Sequence, residues 1–129
     1  MELLDGATLR DDLRRRKRLD PSRTIEILRS VCAAVDAAHR RQLIHRDLKP
    51  ENIFLAQSDD GTGEVVKVLD FGIAKFVFTH DDEAPARVTS ETQTGILIGT
   101  PAYMSPEQLL GRKPDVLWDL WALCVITSF

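Results

Sequence analysis

Apolar side chains recur along this chain first at helical spacing, then in short strand-like runs, and finally around a whole helix. Met1 to Leu4 reads as the end of a strand, stopped by Asp5-Gly6. Thr8 is placed to cap a short helix through Leu9 and Leu13, which continues into the basic run Arg14 to Arg18. That run reads as a solvated helix face, with a docking patch as the rival reading. Asp20-Pro21 is a good helix start, a capping carboxylate followed by proline in the first turn. It opens a helix expected over residues 21 to 41, with Ile25, Leu28, Cys32, Val35 and His39 as its apolar stripe and Val31 and Ala38 widening it. Short strands are expected at Leu43 to His45, Ile53 to Leu55 and Val65 to Leu69. The last two are joined by a hairpin turn, Asp59-Asp60-Gly61-Thr62-Gly63. Residues 76 to 98 read as a long irregular loop, rich in hydroxyls from Thr89 to Thr94. Ser105-Pro106-Glu107 starts a short helix. From Leu117 to Phe129, ten of thirteen residues are apolar and cover every side of a helix. Such a helix belongs at the centre of a larger body, so the C-terminus is expected to be cut short.

Composition narrows the class without naming it. The 129 residues are 43% hydrophobic and 29% charged, which suits a globular chain. A formal net charge of -3 provides no reason to expect nucleic acid or an anionic membrane as a partner. Cys32 and Cys124 stand alone in apolar helical patterns, so they read as buried thiols in a reducing compartment. Met1 to Gly6 lacks the regions of a signal peptide, and no apolar stretch reaches the ~18 residues that cross a membrane. A cytoplasmic location, with no membrane contact from this segment, is the expectation.

The chemistry concentrates in His45-Arg46-Asp47-Leu48-Lys49-Pro50-Glu51-Asn52, followed by Asp70-Phe71-Gly72. Asp47 can accept a hydroxyl proton. Lys49, two residues on, can lie on the same side of an extended loop and reach a phosphate. Asn52 and Asp70 offer hard oxygen ligands of the kind magnesium takes. Gly72 lets the backbone turn sharply after Phe71. Phosphoryl transfer needs alignment and charge neutralisation more than strong basicity, and this set supplies both.

These strings match protein-kinase signatures. The block Gly99-Thr100-Pro101-Ala102-Tyr103-Met104-Ser105-Pro106-Glu107 is similar to that of bacterial kinases. Three motifs in the right order, covering essentially the whole chain, make it resemble the catalytic core of a eukaryotic-like serine/threonine protein kinase. Lys49 after the catalytic acid resembles the serine/threonine branch.

The resemblance implies an α+β kinase-like fold: a mostly helical C-terminal lobe with short catalytic-loop β-hairpins, its N-terminal lobe absent. It implies a hinge at 1–6, helices at 7–41, catalytic and metal-binding loops at 43–72, an activation segment at 70–107 and a truncated central helix at 115–129. It makes Asp47 the catalytic base, Lys49 the phosphate contact, and Asn52 and Asp70 the magnesium ligands, with manganese as an alternative metal. His45 and Phe71 would stack in an internal spine. Met1 would be gatekeeper, Glu2 and Leu4 would hydrogen-bond adenine of ATP, and Phe54 would pack beneath the ring. Thr100 would bond the catalytic loop, Glu107 would pair with an arginine further along, and Asp119 would brace the loop from the central helix. Arg46 before the base implies switching by activation-loop phosphorylation, with Thr92 and Thr94 as autophosphorylation sites and Thr89 and Ser90 behind them.

The implied partners are protein substrates bearing serine or threonine, and a second copy for autophosphorylation. A glycine-rich phosphate loop and its strand lysine do not occur in this sequence. Leu117, Trp118 and Cys124 stand where the family usually has arginine, serine and glycine. The isolated chain is therefore expected to be a weak or inactive fragment of an enzyme. The rivals are a non-catalytic kinase-like module and a small-molecule phosphotransferase, the second disfavoured by Lys49 and the 99–107 block.

Overall fold

The structure, a computed structural model, describes residues 5–58, 61, 63–71 and 101–128. The chain divides into two units, Met1–Leu43 with Lys49–Asp70, and Ile44–Leu48 with Phe71–Phe129. The expected strand at Met1 to Leu4 lies outside the described residues, as does the loop at 76–98.

The first unit is built on a three-stranded antiparallel sheet ordered β1-β2-β3, from β1 (Gly6–Thr8), β2 (Ile53–Gln57) and β3 (Glu64–Val68). β1 begins where the sequence predicted only a stop. Gly6 permits it: it sits opposite Ala56 at φ 153°, and a Cβ there would run into the carbonyl oxygen of Leu55. The β2–β3 hairpin follows expectation, with the Ser58 N–H donating to Gly63 O at 2.9 Å and Gly61 at φ 67°.

Helix α1 (Leu9–Arg16) starts at Thr8, whose hydroxyl accepts from the Asp11 N–H at 3.1 Å. Leu9 and Asp12 point inward, while Arg14 to Arg18 are exposed. Helix α2 (Pro21–His39) is capped by Asp20, which accepts from the Ser22 N–H at 3.0 Å. It packs on β3.

The buried stripe of α2 is Ile27, Val31, Val35 and Ala38. Only part of the expected stripe survives. Ile25 is 57% exposed and Cys32 is exposed, while Leu28 and His39 are half-buried. On a helix turning about 100° per residue, the buried four span an arc of about 80°, and the expected residues lie round its flank. Apolar residues occupy most of the circumference of α2, so periodicity alone could not choose the phase. Neither cysteine is buried, contrary to the sequence reading: each lies on the side of its helix that faces away from packing.

The second unit holds the segment Ile44–Leu48, a 3-10 turn Pro101–Tyr103, α3 (Pro106–Leu109) and α4 (Leu117–Thr127). The strand expected at Leu43 to His45 does not form. Gln42 turns left-handed at φ 60° to end α2, and the His45 N–H then goes to a carboxylate instead of a neighbouring strand. Ser105 caps α3 as expected, accepting from the Gln108 N–H at 3.1 Å. In α4, Trp118, Asp119, Ala122, Leu123 and Ile126 are buried, while Leu117, Leu120, Trp121 and Cys124 are exposed. No helix among the described residues is long and apolar enough to cross a membrane.

Candidate active site

The signature residues are divided between the units. Lys49, Asn52, Phe54 and Asp70 belong to the first, and His45, Arg46, Asp47, Phe71, Glu107 and Asp119 to the second. Met1, Glu2, Leu4, Gly72, Thr89, Ser90, Thr92, Thr94 and Thr100 lie outside the described residues.

In the first unit, Lys49 is extended (φ −161°) and leads into a 3-10 turn, Pro50–Asn52, that delivers Asn52 to the start of β2. Asn52 is buried, with 8% of its surface exposed. Its carbonyl accepts from the Leu69 N–H at 2.8 Å, one rung beyond the Ile53–Val68 pair. The ladder thus carries Asn52 and Asp70 to the same end of the β2–β3 hairpin. Asp70 is exposed and left-handed, at φ 54°. An amide and a carboxylate at one hairpin end are hard oxygen donors, a set that suits magnesium with phosphate oxygens and water completing its shell. Phe54 is half-buried on β2, opposite Thr8 and Lys67.

In the second unit, a buried carboxylate organises the loop. Asp119 is 1% exposed and accepts from two successive backbone N–H groups, His45 at 2.8 Å and Arg46 at 2.9 Å. Charge-assisted bonds of this kind are stronger than neutral ones. His45 is fully buried and meets Phe71, with ring centroids 4.8 Å apart at 52°. Its Nδ1 accepts from the Asp47 N–H at 3.3 Å. Arg46 sits between them at φ 66°, a left-handed backbone that is costly for a residue with a Cβ. Such strain persists only where surroundings over-determine it, and here Asp119 fixes the near side. The far side is held by Gln108, whose Nε2 donates to Arg46 O at 2.7 Å. Glu107, next to it on α3, is exposed.

Sequence reading overlooked Gln108. It follows Glu107 in a four-residue helix, and nothing local distinguishes it from a surface side chain; its partner is 62 residues away in the chain. The left-handed turns at Arg46 and Asp70 were equally silent, because neither carries the glycine that usually marks them.

A cavity of about 310 Å³ in the first unit is bordered by β1, α1, α2 and the hairpin, and none of these signature residues lines it. Three carboxylates (Asp5, Asp12, Glu64) and three guanidiniums (Arg15, Arg16, Arg23) line it, so it has no net charge to draw in phosphate.

Residues 1–128 match the protein kinase domain. The chain is 47% identical over 126 residues to serine/threonine-protein kinase Pkn1 of Myxococcus xanthus, covering 98% of this chain and 17% of that protein. It is 42% identical over 126 residues to serine/threonine-protein kinase PknL of Mycobacterium tuberculosis, covering 98% of this chain and 28% of the relative. With serine/threonine-protein kinase PknB of Mycobacterium leprae the identity is 41% over 127 residues, 98% of this chain and 18% of the relative. The chain thus spans between 17% and 28% of the length of these relatives.

Proposed function

The chain belongs to the protein kinase domain family, and on that premise we propose that it serves ATP-dependent phosphorylation of serine or threonine in protein substrates. The register of β2 and β3 carries this reading, since it brings Asn52 and Asp70 to one end of the hairpin. Those two residues would hold magnesium. When bound, the metal neutralises charge on the phosphates.

Asp47 orients the acceptor hydroxyl and takes its proton as the hydroxyl oxygen bonds to the γ-phosphorus. The bond from that phosphorus to the β–γ bridging oxygen breaks, and ADP leaves with the electron pair. Lys49 supplies positive charge to the moving phosphoryl group. Met1, Glu2, Leu4 and Phe54 form the adenine side of the site. Thr92 and Thr94 are the autophosphorylation positions, and Arg46 receives the new phosphate.

The test is phosphate transfer from Mg-ATP to dephosphorylated casein by the full-length protein, with phosphopeptide mapping of the protein itself. Asp47→Asn lowers the transfer rate by about 10²–10⁴-fold, the usual worth of a positioned acid–base group. Thr92 or Thr94 carries the new phosphate. Transfer that survives Asp47→Asn undiminished would overturn the assignment. A wild-type protein that binds ATP and transfers nothing would favour a non-catalytic kinase-like module instead.

A further inference from the structure

We propose that Gln108 is a positioning residue for the loop bearing Asp47, a role that rests on the reading of Asp47 as the group that orients the acceptor hydroxyl. A peptide unit is planar and trans, so the carbonyl of Arg46 and the N–H of Asp47 are rigidly opposed across one plane. Gln108 Nε2 donates to that carbonyl at 2.7 Å. On the opposite edge, the Asp47 N–H donates to His45 Nδ1 at 3.3 Å. The two bonds hold the plane that immediately precedes the Asp47 Cα, and with it the direction in which that carboxylate leaves the backbone.

The Asp119 bonds to the His45 and Arg46 N–H groups lie on the near side of the Arg46 Cα. Arg46 is left-handed at φ 66°, so the plane beyond it would relax toward ordinary backbone if nothing held it. The His45 contact on this plane is 3.3 Å long, and the Gln108 bond, at 2.7 Å, is shorter.

Gln108 is itself fixed. Its own N–H is anchored to Ser105 Oγ at 3.1 Å, and Ser105 is 2% exposed. Gln108 and Asp47 also line one small recess together with Tyr103 and Trp118. Helix α3, whose first two residues end the Gly99–Glu107 block, is therefore tied, through one side-chain amide, to the backbone that aims Asp47.

Glutamate in place of glutamine tests this with almost no change in shape, because a carboxylate keeps the size and loses the donor. Gln108→Glu and Gln108→Ala are compared in the full-length protein by two readouts. The first is hydrogen exchange of peptides covering residues 45–48, which speeds up at least fivefold in both variants while peptides from α2 stay unchanged. The second is Mg-ATP-dependent phosphorylation of casein, where kcat falls about 10- to 100-fold and KM for ATP stays within twofold, as expected when a reacting group is misaimed but the nucleotide is still held.

Gln108→Asn, shorter but still a donor, recovers part of kcat; Gln108→Glu does not. Unchanged exchange at 45–48 overturns the proposal, and so does a kcat within twofold of wild type in both variants. If wild type transfers no phosphate, the functional reading above fails on its own, and the exchange data alone then decide whether Gln108 holds the Arg46–Asp47 peptide.

Discussion

Asp12 shows how one buried charge is stabilised in this chain. It is 3% exposed, and burial by itself pushes its carboxyl up. Hydrogen bonds from Arg16 Nε at 2.9 Å and Arg23 Nη2 at 3.2 Å, and the charges of both guanidiniums, outweigh that and hold it below the usual carboxylate range. Arg23 is shifted the other way, upward, first by its 3.0 Å hydrogen bond to Glu64. A folded-state value below the unfolded one stabilises the protein above the unfolded pKa of about 4, and the effect is lost as pH falls through the lowered folded value. Asp12→Asn should therefore cost about 1–3 kcal/mol at pH 7, because the arginines lose their shared carboxylate. Urea unfolding at pH 7 and pH 3 checks the sign: the gap between wild type and variant narrows at pH 3. A gap that stayed constant with pH would show that Asp12 acts through packing alone.

At the scale of elements, edge strand β1 depends on its glycine. Gly6→Ala forces a Cβ into the Leu55 carbonyl, and at φ 153° the backbone cannot accommodate it without moving away from β2. The expected loss is about 1–3 kcal/mol, the usual cost of overpacking. Gly63→Ala is the control, since a Cβ there meets nothing within 4 Å, and it should change stability by less than about 0.5 kcal/mol. Equal denaturation midpoints for the two variants would refute the steric account. Helix starts were legible at this scale because their signals are local: Thr8, Asp20 and Ser105 each cap the helix that follows. The buried face of α2 was not, since an apolar residue lies on nearly every side and the neighbouring β3 chooses among them.

For the molecule as a whole, the notable surface is on α4. Leu117, Leu120 and Trp121 share one side of it and are 63%, 46% and 44% exposed. Contiguous apolar surface of this kind drives association in water. Replacing Leu120 and Trp121 together by glutamate should suppress concentration-dependent light scattering near neutral pH and leave the thermal midpoint within a few degrees. Scattering that persisted in the double variant would place the sticky surface elsewhere. Leu109 and Leu110 are the next candidates, at 51% and 71% exposure.

What the amino-acid order alone determined is whatever needs only near neighbours. That covers the cap residues, the hairpin around Gly61, the identity of the chemical groups at 47, 49, 52 and 70, and their membership of one recognisable pattern. Folding decided what depends on residues far apart. Asp119 reaches back 74 residues to the His45 N–H and Gln108 reaches back 62 to the Arg46 carbonyl. A left-handed arginine between two such anchors is not explained by its own backbone energy, which would favour another conformation, and distant side chains bond the backbone on either side of it.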